Sequence, residues 1–221
     1  MRFLLILAVL GLLFGLTATG ASATVLFYLD GVVDGEVDRS GHPAVTGEDD
    51  LKTTIVSAGT IFKDRYKVGA EYGWGSIDSN TGSDDLTLWS VKGGYRFVNA
   101  RAFKMDVVVA PLNIKTDSLK LKGTMVGVDI AQYFSTKAFL TLTYALNNSS
   151  TFEHDTLGTD DSAALSLLRL KFHYFLNDNL GLVAGFTVLK YEAEVTHPLA
   201  GPLGKMKADM GGPTVGLVYK F

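Results

Sequence analysis

The stretch Thr214-Val215-Gly216-Leu217-Val218-Tyr219-Lys220-Phe221 alternates without a break. Val215, Leu217, Tyr219 and Phe221 fall on one face at period two, and Thr214, Gly216, Val218 and Lys220 on the other. Successive side chains of a strand point to opposite faces, so this segment reads as a strand with one greasy face and one smaller, wetter face. Such a strand suits a wall with lipid on one side and a polar lumen on the other.

The same pattern recurs upstream. Tyr66, Val68, Ala70, Tyr72 and Trp74 oppose Lys67, Gly69, Glu71, Gly73 and Gly75. Trp89, Val91, Gly93, Tyr95 and Phe97 oppose Ser90, Lys92, Gly94 and Arg96, and Phe103, Met105, Val107 and Val109 oppose Lys104 and Asp106. Val126, Val128 and Ile130 oppose Gly127 and Asp129; Leu168, Leu170 and Phe172 oppose Arg169, Lys171 and His173; Leu182 and Phe186 oppose Gly181 and Gly185. The first strand, Thr24 to about Asp38, is expected to carry Val25, Phe27, Leu29, Val33 and Val37 outward and Tyr28, Asp30, Asp34 and Glu36 mostly inward. Thr53 to Phe62 is β-branched, but its two faces compete. The count is about ten strands, or eight if Thr24 to Phe62 forms a plug or lid.

The connections alternate in length. Tight turns are expected at Lys63 to Arg65, Asn99 to Arg101, Ser135 to Lys137 and Asn177-Asp178. Longer polar loops are expected at Arg39 to Asp50, Asp78 to Asp84, Thr116 to Lys120, Glu153 to Asp160 and Thr196 to Asp209. Short turns at one end, longer loops at the other and an even strand number describe a closed antiparallel up-and-down transmembrane β-barrel. Closure follows from solvation, because an open edge in lipid strands backbone groups at several kcal/mol each. The charges agree: Asp30, Asp34, Lys67, Glu71, Lys92, Arg96, Lys104, Asp106, Asp129, Arg169 and Lys171 are all expected to line the lumen, as a salt-bridged core or a narrow channel.

The amino-terminus sets the route. Arg2 precedes an apolar run from Phe3 to about Leu16 and small residues ending Ala21-Ser22-Ala23, which reads as a secretory signal peptide, residues 1–23, cleaved before Thr24. The run is shorter than the roughly 20 residues of a spanning helix. Residues 24–221 then form one barrel domain with 19 basic and 23 acidic residues, a net charge of −4 that gives no reason to expect nucleic acid. The chain has no Cys, which excludes thiol nucleophiles and thiolate metal sites. No cofactor or metal motif is legible.

Thr214, Gly216, Tyr219 and Phe221 also resemble the terminal signal by which bacterial outer-membrane β-barrels are recognised for insertion. With the signal peptide and the hairpin rhythm, the chain resembles small bacterial outer-membrane β-barrel proteins, the broad group that includes the membrane domain of outer membrane protein A. The resemblance implies a porin-like monomer in a Gram-negative-type envelope. Its partners would be membrane lipid and lipopolysaccharide, the insertion machinery during assembly, and small solutes or a surface ligand. The expected role is structural or passive passage of small solutes, without enzymatic activity. The alternatives are a surface-binding module working through its loops and a rim hydrolase. For the latter, the acid pairs Glu48-Asp49-Asp50, Asp84-Asp85 and Asp160-Asp161, with His154 and His197, resemble omptin-type proteases in residue type only.

Overall fold

The computed structural model describes residues 24–41, 47–80, 82–155, 158–197 and 201–221; the expected signal peptide lies outside them. The strands are β1 (Thr24–Val32), β2 (Gly35–Ser40), β3 (Gly47–Phe62), β4 (Tyr66–Ser79), β5 (Gly82–Asn99), β6 (Phe103–Lys115), β7 (Leu119–Tyr133), β8 (Ala138–His154), β9 (Gly158–Phe175), β10 (Leu180–His197) and β11 (Gly201–Lys220). From β3 to β11 each pairs antiparallel with its sequence neighbour. Both β1 and β2 lie between β11 and β3, so the two are successive halves of one stave and the closed wall has ten. That pairing rules out the reading in which Thr24 to Phe62 is a plug inside eight strands.

The first stave is broken by a bulge. Val32 pairs with Thr214 and Glu36 with Gly211, so three residues of the first stave face two of β11. The β11 residue opposite the break is Pro213, which has no N–H to give the ladder; its carbonyl accepts from Val33 N–H at 3.1 Å. One extra residue reverses the parity beyond it. Val37 therefore points inward and is 2% exposed, whereas Asp34 and Glu36 are exposed, correcting the expectation that those two acids face the lumen. A second bulge in β8, between Asn147 and Ser150, turns Phe152 inward, where it is fully buried.

The tight turns lie where expected, but among the described residues much of each expected long loop is strand. Strand β4 runs to Ser79 and β5 begins at Gly82; β6 and β7 are separated by Thr116 to Ser118; β11 already begins at Gly201, inside the segment expected to be loop from Thr196 to Asp209. The wall itself continues in place of the loops. Its staves are up to 20 residues long, about twice the 9–11 that a tilted strand needs to cross a bilayer.

The surplus shows in the outward face. In β10, Leu182 and Phe186 are exposed and of the same parity as Lys190 and Glu194 higher up the strand. In β11, exposed Tyr219, Leu217 and Val215 give way to Asp209, Lys207 and Lys205, and in β7 Val126 gives way to Lys122 and Lys120. An apolar belt thus encircles the tight-turn half of the barrel, with Tyr66, Tyr95, Phe97, Phe134, Tyr174, Tyr219 and Phe221 near its lower edge. Trp89 and Tyr95 lie on this outer face, as their parity requires.

Closure depends on small residues at the seam. A Cβ on Gly216 would lie 2.3 Å from the Leu29 carbonyl oxygen and 2.4 Å from the Asp30 Cβ. Gly216→Val is expected to force the last strand away from β1, and the variant should lose the heat-modifiable gel shift of a closed barrel.

Candidate functional site

Three levels stack inside the wall. At the outer end, one continuous apolar cluster draws side chains from all ten staves, including Val37, Leu51, Ile77, Leu86, Leu121, Phe152, Leu165, Tyr191 and Met206. Phe152, Leu121, Met206 and Ala208 are 0–2% exposed. A water-filled path through this level would wet some of these side chains, so the outer half of the lumen is a dry plug. The outer surface of the same strands is ionic: Lys205 and Lys207 reach Glu192 at 2.9 and 3.1 Å, and Lys190 pairs with Asp209. Exposed pairs of this kind are worth about 0–1 kcal/mol each.

Below the plug, within the apolar belt, lies the charged level. Asp129 accepts from Lys67 at 2.5 Å, Lys92 at 3.2 Å and the Thr143 hydroxyl at 2.7 Å. Asp106 takes Arg96 in a bidentate fork, Nε–Oδ1 2.7 Å and Nη2–Oδ2 3.2 Å, and Lys67 at 3.4 Å. Arg169 reaches across the barrel to Glu71 at 2.9 Å, five staves away, and Lys171 pairs with Asp30. Gly216 leaves space for Asp30 here, and at the boundary with the plug a Cβ on Gly73 would meet Leu88 at 2.8 Å.

Nearest the tight turns is an aromatic level. His173 stacks on Phe139 with centroids 4.2 Å apart, meets the Tyr28 ring edge-on at 5.6 Å and places Nε2 3.0 Å from Thr141 Oγ1. Tyr133 stacks on Phe139, and Lys104 Nζ sits 4.9 Å above the Tyr133 ring. A cavity of about 340 Å³ runs from the turn residue Asp64 and from Thr24 and Lys104 up to Glu71 and Arg169.

The structure therefore brings Asp30, Lys67, Glu71, Lys92, Arg96, Lys104, Asp106, Asp129, Arg169 and Lys171 together at the middle and lower levels, and leaves Asp34 out. Thr214 points inward and is buried; Tyr219 and Phe221 lie on the belt. Alternation gave no hint of the apolar plug above the charges or of Thr143 as the third partner of Asp129. The acids near the outer rim are dispersed: Asp49 faces inward onto Arg39, Glu48 and Asp50 face outward, and no group of three His, Asp or Glu suited to a metal occurs among the described residues. His154 is half-buried near the Phe152 ring, and burial pushes its imidazole below the ordinary histidine value.

No protein-family model matches the chain, and no curated protein matches it in sequence. Its fold is similar to Neisserial surface protein A (11% identity, 90% of this chain and 97% of that one, TM-score 0.38). It is also similar to the translocator domain of autotransporter NalP from Neisseria meningitidis (15%, 100% and 96%, 0.43) and to an outer membrane channel from Pseudomonas putida F1 (10%, 91% and 96%, 0.46).

Breaking a buried ionic cluster by removing one partner leaves unpaired charge and costs about 3–5 kcal/mol. Asp129→Asn, which orphans Lys67 and Lys92, is expected to lower the unfolding free energy in lipid by about 3 kcal/mol, read as a lower urea midpoint. Glu153→Gln, on an exposed pair with Lys120, should shift it by less than about 1 kcal/mol. In the plug, burial raises the Tyr191 hydroxyl from its ordinary 10 to about 12. Unfolded chain then loses the proton first, so this contribution to stability is whole below pH 10 and is lost as pH rises through about 12. Tyr191→Phe should flatten that alkaline decline in unfolding curves.

Proposed function

We propose that the protein is a monomeric integral barrel of the bacterial outer membrane, exported by its signal peptide, with a structural role in the closed state described here and small-solute passage only when the outer plug parts. The observation that carries this reading is the plug itself, to which every stave contributes. The apolar belt supports the membrane assignment, because its height and its aromatic lower edge suit a bilayer and its polar boundary. Lipid and lipopolysaccharide would contact the belt and the ionic surface above it, and Thr214, Gly216, Tyr219 and Phe221 would be presented to the insertion machinery.

A non-enzymatic role fits the placement of His173. His173 is packed between rings with Thr141 as its hydrogen-bond partner. Binding through a long loop loses its main support, since β11 occupies most of the segment from Thr196 to Asp209.

Planar-bilayer recording tests the reading. The wild type should show no steady conductance, and the double substitution Phe152→Ala, Met206→Ala should open a measurable one. A steady wild-type current would refute closure. A silent double variant that is still folded would refute the plug as the barrier.

A further inference from the structure

The lumen's charges do not balance. Asp106 and Asp129 together serve three cations, Lys67, Lys92 and Arg96. Glu71 and Asp30 are matched one to one with Arg169 and Lys171. Lys104 has no carboxylate within ion-pair distance among the described residues and rests on the Tyr133 ring. With Asp64, which is exposed on the turn and lines the same cavity as Lys104, the count is six basic groups against five acidic ones, an excess of one positive charge.

That excess sits in a poor place to be left alone. The belt surrounds it with low-dielectric material, the dry plug closes it above, and water reaches it only from the tight-turn end. A charge excess in such an enclosure focuses the field and raises the local concentration of counter-ions. Donors remain around the cavity: Lys104, and Arg169 Nε, which is buried without a hydrogen-bond partner; Asp30 Oδ1, also without one, belongs to a residue outside the cavity lining. The cavity's volume is that of about ten water molecules at liquid density, ample for a small organic molecule.

Its walls differ in character. Lys67, Lys92, Arg96 and Lys104 enter it from β4, β5 and β6 and Arg169 and Lys171 from β9, while Leu26, Tyr28, Tyr133 and Phe139 supply apolar surface. A pocket with an apolar wall and a few convergent polar groups is the usual form of a small-molecule site. A bare inorganic anion would use only the basic groups. We propose that the half-lumen is a binding site for a small organic anion, a carboxylate or phosphate monoester with a short apolar or aromatic body, admitted from the tight-turn end. Its acidic group lies against Lys104 on the side of Arg96, and its apolar body lies against Tyr28, Tyr133 and Phe139. Occupancy needs no opening of the plug, so the site is independent of conductance.

Titration calorimetry of the purified, folded barrel in zwitterionic detergent tests this with phenyl phosphate as probe and phenol and inorganic phosphate as comparators. Phenyl phosphate should bind at one site per chain, about tenfold or more tighter than either comparator, and weaken with added salt. Lys104→Gln removes the cation that has no ion pair, so the fold is kept, and binding should fall about tenfold. Lys137→Gln, on an exposed turn outside the cavity, should leave binding unchanged. The proposal is overturned if phenol binds as well as phenyl phosphate, if inorganic phosphate does, or if Lys104→Gln binds like the wild type.

Discussion

The pairing of β11 with the first stave carries the rest of the structure. Without it the sheet has two open edges, and each would leave a row of backbone N–H and C=O groups facing lipid at several kcal/mol apiece. With it, Phe221 N–H donates to the Val25 carbonyl at 3.0 Å and the ladder runs through seven residues of β1 before the bulge. Closure then fixes which face of every strand is inside. Every later feature, ion pairs and plug alike, uses an interior that exists only because the seam holds.

That interior is matched to the exterior at each level. Where the outside is apolar, the inside carries ion pairs; where the outside carries Lys and Glu, the inside is dry. The two halves are therefore held together by different forces. The outer half resembles a soluble barrel, stabilised by removing apolar side chains from water at about 25 cal/mol per Å². The lower half has no such drive at its belt, since lipid is as apolar as its side chains, and its inward face is held by charge pairing, hydrogen bonds and the packed rings about Phe139.

The parity of the lower half is legible because the irregularity in β5 falls beyond Arg96, beside the tight turn: Lys67, Glu71, Lys92, Arg96, Arg169 and Lys171 all fall where strict alternation puts them. The misreadings trace to two causes. Bulges reset parity, and neither the one opposite Pro213, which exposes Asp34 and Glu36, nor the one in β8, which buries Phe152, shows in single-strand alternation. The outer strands read as loops because their outward residues are charged and they contain Gly and Pro. Yet Lys205-Met206-Lys207-Ala208-Asp209-Met210 alternates as cleanly as Tyr219 and its neighbours, with the polarity reversed. Partners such as Thr143 with Asp129 depend on which strands meet across the lumen, which no local pattern reports.

The reversal also explains why a charged interior is retained where a hydrophobic one of similar volume could be as stable. If the inner face of the lower half were apolar, both faces of each stave would be greasy there, and pairing could slip by one residue at little cost. A one-residue slip moves every side chain to the opposite face. With the charges in place, a slip of β4 would put Lys67 and Glu71 into lipid, where a basic group costs about 2–4 kcal/mol near the midplane. The same slip in β10 would drive Lys190 and Glu192 into the dry plug. Opposite patterns in the two halves thus penalise the same error twice, and the ion pairs act chiefly by specifying register.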